Sequence, residues 1–145
     1  MKTASYFAAC AVLVACAGCQ TAATATAPAA PGTFTQVYAA IFPAQTAAQC
    51  NFCHSLPPNQ KSNGMLSMGE TKAAAYAALV NKPSASSGCK GQPLVVADKP
   101  DQSLFYLKLL GSPACGDRMP LGGGVLTATQ LELVRSWIAA GALDN

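Results

Sequence analysis

The densest chemistry in this chain lies in Cys50-Asn51-Phe52-Cys53-His54, two thiols three positions apart with an imidazole directly after the second. At this spacing two thiols reach the two vinyl groups of one haem, and the following imidazole is carried beneath the iron, where it is the usual proximal ligand. Three other chemistries compete for the same residues. A thioredoxin-like dithiol needs a βαβ setting, which the surrounding sequence lacks. A zinc site needs a fourth ligand and leaves the Met119 segment described below without a role. A disulfide within the pair leaves His54 without a task. One covalent haem c, held by thioethers from Cys50 and Cys53 and ligated by His54, employs all three residues.

His54 is the one histidine of the 145-residue chain, so two-histidine ligation within the chain is impossible. The sixth iron position is either open or taken by another residue type. Met119 stands in Gly116-Asp117-Arg118-Met119-Pro120, followed by Gly122-Gly123-Gly124. Proline biases the residue before it towards extended backbone, and the glycines let the chain turn tightly against a flat cofactor. Such a loop can present a thioether to the iron, and Met119 is the expected distal ligand. Met65 and Met68, which flank the start of a predicted helix, remain alternatives; their ordinary role is packing in irregular apolar gaps.

The chain opens with Met1-Lys2 and an uncharged run, Thr3 to Ala15. The run suits a signal peptide's apolar region and is shorter than the roughly 20 residues that span a bilayer. Its end, Leu13-Val14-Ala15-Cys16, resembles the lipobox of bacterial lipoproteins, which implies residues 1–15 as signal and Cys16 as lipid anchor. Cys19 is a second candidate anchor, without the usual aliphatic residue ahead of it. From Gln20 to Thr33 the sequence is mainly Ala, Thr and Pro, so 16–33 is expected to be a flexible tether and 34–145 the folded domain.

Export to an oxidising compartment lets the seven cysteines be divided by role. Cys10 leaves with the signal, Cys16 takes lipid, Cys50 and Cys53 hold haem, and Cys19 has no assigned role. Cys89 and Cys115 remain, and a disulfide between them is expected to stabilise by roughly 3 kcal/mol through loop closure. The mature chain would carry eight basic and six acidic residues. That balance, with lysines that never form a run, gives no footprint for nucleic acid and reads each lysine as a solvated surface residue. One histidine, no nucleophile constellation and no paired carboxylates exclude the common hydrolytic designs.

The elements that must position these groups read as helices. Phe34, Val37, Tyr38, Ile41 and Phe42 recur at helical spacing until Pro43. A second helix is expected from a Ser67/Glu70 capping box through Lys72, Tyr76 and Leu79, stopped by Asn81-Lys82-Pro83. Residues 84–100 form an irregular connector in which Leu94, Val95 and Val96 allow a short extended piece. A third helix is expected over Asp101 to Leu110, ended by Gly111. The last begins at a Thr127/Gln130 capping box with a Leu126/Leu131 staple and presents Leu131, Val134, Trp137 and Ile138 before a stop at Gly141.

An N-terminal helix, a C-x-x-C-H motif, a late Arg-Met-Pro loop and a final helix ending Trp137-Ile138-Ala139-Ala140-Gly141-Ala142 together resemble a small class I cytochrome c domain, over about Phe34 to Asn145. The resemblance implies an all-α fold with first and last helices crossing beside one haem, and Cys50, Cys53, His54 and Met119 at the haem-binding positions. The Cys89/Cys115 pair looks like a variant of some bacterial lipoprotein cytochromes and would tie the connector to the Met119 loop. The function implied is one-electron carriage between redox partner proteins, by a monomer without catalytic residues or zinc, lipid-anchored on the periplasmic side of a bacterial membrane. A haem enzyme or gas sensor with an open distal site, or an electron-transfer subunit of a larger dehydrogenase or oxidase, are the alternatives.

Overall fold

The first helix, α1 (Phe34–Ile41), owes its start to Thr33, whose hydroxyl accepts from Gln36 N–H while the Gln36 side chain accepts from Thr33 N–H. This is a capping box, and the Asn145 side chain and carbonyl take the next two free amides, those of Phe34 and Thr35. The structure, a computed structural model, describes residues 30–55, 66–122 and 124–145. Cys10, Cys16, Cys19, Met65, Gly123 and most of the expected tether lie outside the described residues.

Among the described residues the protein is all-α, with five helices and no strands. After α1 come α2 (Cys50–His54), α3 (Lys72–Leu79), α4 (Leu104–Leu110) and α5 (Ala128–Ala139). None is long and apolar enough to cross a membrane. Helix α5 begins at the Thr127/Gln130 capping box and gives way near Gly141, whose φ of 97° only glycine adopts without strain. Glu132 and Arg135 pair on its exposed face at 3.3 Å.

The core forms where α1 packs against α5. Phe34, Val37, Ile41 and Phe42 are buried on one side, and Val134, Trp137 and Ile138 on the other. Phe34 stands at the centre, with ring centroids 4.9 Å from Trp137 and 5.2 Å from Tyr76 of α3. The packed chain already begins at Gly32, whose amide donates to Ser136 Oγ and where a Cβ would meet the Leu133 carbonyl at 2.7 Å.

Two helix boundaries differ from expectation. Helix α3 is capped by Thr71, whose hydroxyl accepts from Ala74 N–H, and not by a Ser67/Glu70 box. Residues 66–69 are non-helical because their backbone bonds elsewhere: Met68 N–H donates to the His54 carbonyl at 2.6 Å, and Gly69 turns through φ 65°. The expected helix over 101–110 is divided into a 3-10 turn, Pro100–Gln102, and α4. Buried Ser103 sits extended between them, its hydroxyl donating to Lys99 O and accepting from Val96 N–H, which satisfies a polar group in the core at the cost of helical continuity. In the connector, isolated bridges pair Val80 with Val95 and Pro83 with Pro93. Cys89, in a 3-10 turn at Ser87–Cys89, is disulfide-bonded to Cys115, with 5.4 Å between Cα atoms.

Candidate functional site

The Cys50-x-x-Cys53-His54 segment is itself the short helix α2, hung from the end of α1. Asn51 N–H donates to the Phe42 carbonyl at 2.9 Å, and Asn51 Nδ2 to the Tyr38 hydroxyl at 3.2 Å. That hydroxyl donates in turn to the Glu70 carbonyl at 2.7 Å, so one tyrosine of α1 holds both the motif and the chain entering α3. The entry to α2 is tight: Gln49 has φ 48° and ψ 41°, a left-handed conformation costing a non-glycine residue about 1–2 kcal/mol, and its amide is held by Thr46 Oγ1.

Cys50, Cys53, His54 and Met119 all line one cavity of about 1150 Å³. Small-ligand sites typically occupy about 300–1,000 Å³, so this one has room for a large cofactor. Leu66, Met68, Leu94, Phe105 and Leu109 give it apolar walls, and Cys89 also reaches it. The structure therefore gathers residues from α2, the 66–68 segment, the connector, α4 and the loop after α4 around a single space.

The imidazole is oriented by a carbonyl. His54 Nδ1 lies 3.0 Å from Leu66 O. A carbonyl oxygen only accepts, so Nδ1 carries a proton, and in the neutral ring Nε2 then has its lone pair free for a metal. A backbone partner of this kind fixes tautomer and ring orientation in metal-ligating histidines. With Met68 N–H on the His54 carbonyl, the 66–68 segment grips the histidine from main chain and side chain together.

Among the described residues the two motif thiols are joined neither to each other nor to another cysteine. Burial pushes the Cys50 thiol up to about 12, opposed by its hydrogen bond to backbone and reinforced by the neighbouring Cys53. Cys50 is thus protonated across the physiological range and a poor nucleophile by itself, while Cys53 is only half-buried. In apoprotein made without haem, iodoacetamide is expected to modify Cys53 at least about tenfold faster than Cys50, read by peptide mass mapping. Equal rates would show that Cys50 is not held in a desolvated place.

Lys108, expected to be solvated, is half-buried instead and lines the cavity. Its Nζ donates to the carbonyls of Cys115 and Asp117, and burial lowers its affinity for a proton, an effect opposed by the Asp117 carboxylate. A sequence signal existed: Lys108 falls four residues after Leu104 on the apolar stripe of α4. The Leu66 carbonyl carried no such signal, because every residue has one. Of the remaining expected site residues, Met68 is buried on the cavity wall, Cys115 pairs with Cys89, and Met65 and Cys16 lie outside the described residues.

Comparison with protein-family models, with the curated proteins and with the solved structures gives no match to this chain.

Proposed function

We propose that the chain is a small monohaem c-type cytochrome domain of class I type that carries one electron at a time between redox partner proteins. The observation that carries this reading is the His54 ring, fixed by Leu66 O with Nε2 free, on the same large apolar cavity as Cys50, Cys53 and Met119. Cys50 and Cys53 would form the thioethers, and His54 and Met119 would be the axial ligands. Met68 is the weaker distal candidate, because its amide is bonded to His54 itself and it belongs to the histidine's side of the cavity. Met119 enters from a different wall, its amide bonded to the Lys108 carbonyl on α4 at 3.0 Å.

When bound, the haem supplies a one-electron ferrous/ferric couple, which the protein tunes by ligation and burial. Apolar walls and a thioether both favour the ferrous form, which raises the potential. On the cavity rim, Phe52 and Leu121 are 68% and 69% exposed, apolar side chains on which a partner would dock briefly. The same reading places the protein outside the cytoplasm as a monomer, with Cys16 as its lipid anchor.

Met119→Ala tests the assignment. The variant is expected to keep covalent haem, to lose the thioether-to-iron band at the red end of the ferric spectrum, and to fall in potential by on the order of 0.1 V, within the ~0.8 V that axial ligands command. An unchanged spectrum sinks Met119 as ligand. A wild-type protein that is high-spin and binds carbon monoxide readily would instead favour an open distal site.

A further inference from the structure

The loop that brings Met119 to the cavity has little preference for one shape. Gly111, Gly116 and Gly122 all have positive φ there, and glycine loses more backbone freedom on ordering than any other residue. Something outside the loop must therefore fix its path, and α4 is the anchored element beside it, with Leu104, Phe105 and Leu109 buried in the core.

We propose that Lys108 is the positioning residue of the Met119 loop, a clamp whose ammonium gathers the carbonyls of Cys115 and Asp117 while its own carbonyl receives Met119 N–H. The distances are 3.1 Å, 2.9 Å and 3.0 Å. The role of the clamp rests on Met119 being the iron ligand. Ammonium-to-carbonyl bonds are charge-assisted, and partial burial strengthens them relative to bonds in water. Lysine suits the task because its compact head carries three rotatable donors that can serve carbonyls at different angles.

A second feature of the loop fits the clamp. At Gly116, between the two clamped regions, an added Cβ would meet Lys108 Nζ at 3.0 Å and Cys89 Sγ at 3.5 Å. The loop thus omits a side chain where the ammonium passes. The disulfide holds the same stretch at Cys115, so the two restraints divide the work: the disulfide pins the loop part-way along, and Lys108 fixes its course from there to Met119.

The test uses the holoprotein with Lys108→Met, which keeps the stem and removes the donors. Amide exchange at Met119 is expected to quicken by about tenfold or more, the usual worth of a charge-assisted bond. The ferric thioether-to-iron band should weaken in the same variant, and carbon monoxide should reach the ferrous iron faster. Lys99→Met, which removes an exposed lysine away from the loop, should change none of these. Gly116→Ala is the second variant; it leaves Lys108 in place but crowds its head and strains a backbone of positive φ, so it should loosen Met119 at least as much as Lys108→Met does. Unchanged Met119 exchange and full band intensity in Lys108→Met would overturn the clamp, whatever Gly116→Ala does. A wild-type protein lacking the band would overturn Met119 ligation, while Met119 amide exchange, which can be read whether or not Met119 binds iron, still decides whether Lys108 holds the loop.

Discussion

Replacing Cys50 and Cys53 together by alanine is expected to leave a protein with no haem that survives denaturation, seen as loss of haem staining on a denaturing gel and loss of the haem mass from the intact chain. His54 would remain, and its imidazole could still bind iron, but a single ligand bond exchanges whereas two thioethers do not. The consequence extends to the fold. The cavity of about 1150 Å³ has walls of Leu66, Met68, Leu94, Phe105 and Leu109, and an apolar cofactor face covers surface that would otherwise meet water. A partner that binds only the folded state stabilises it by mass action, about 4 kcal/mol at a thousandfold excess over the dissociation constant. A tethered haem stays on the unfolded chain as well, but only the folded chain offers it these walls at high effective concentration, so its loss should cost on the order of that much. The double variant should therefore melt early and broadly, with α2 and the Met119 loop exchanging fastest. Haem retained through denaturation in the double variant would refute thioether attachment at these cysteines.

Trp137→Ala is the second large effect, expected to destabilise the protein by about 3–5 kcal/mol. Trp137 is 1% exposed, its ring lies 4.9 Å from Phe34, and its Nε1 donates to the Leu143 carbonyl at 2.8 Å. The truncation removes an indole from the crossing of α1 and α5 and strands a carbonyl of the C-terminal segment. That segment matters because Asn145 takes the Phe34 and Thr35 amides at the start of α1, Tyr76 donates to Ala142 O, and Lys72 pairs with Asp144 at 2.8 Å. Loss of Trp137 should thus fray α1, α3 and α5 together. Total stabilities of about 5–15 kcal/mol leave little margin, so the denaturant midpoint should fall by a third or more. Trp137→Phe keeps an aromatic ring against Phe34 and should recover most of the loss. A midpoint unmoved in Trp137→Ala would show that the α1/α5 crossing is not the centre of the fold.

What could be read from sequence alone was local. The periodicity of Phe34, Val37 and Ile41, and the capping box of Thr127 and Gln130, involve residues within a turn or two of each other, and both helices stand where that pattern puts them. The Thr33/Gln36 box obeys the same rule and was legible, although Pro and Gly ahead of it made the segment look like tether. The Ser67/Glu70 pattern was equally local and did not form, because its backbone is claimed by a histidine twelve or more residues away.

The same division runs through the site. The sequence by itself determined which groups are available: two thiols and an imidazole at a spacing that suits one haem, no second histidine, and a methionine in a proline- and glycine-bounded loop. Only the tertiary structure decided how they are aimed. It set the proton on His54 Nδ1 through Leu66 O, brought Met119 to the same cavity as the thiols, and turned Lys108 inward onto two carbonyls. The physical reason is that aim depends on backbone carbonyls and shared walls, which every residue can supply and which only packing assigns.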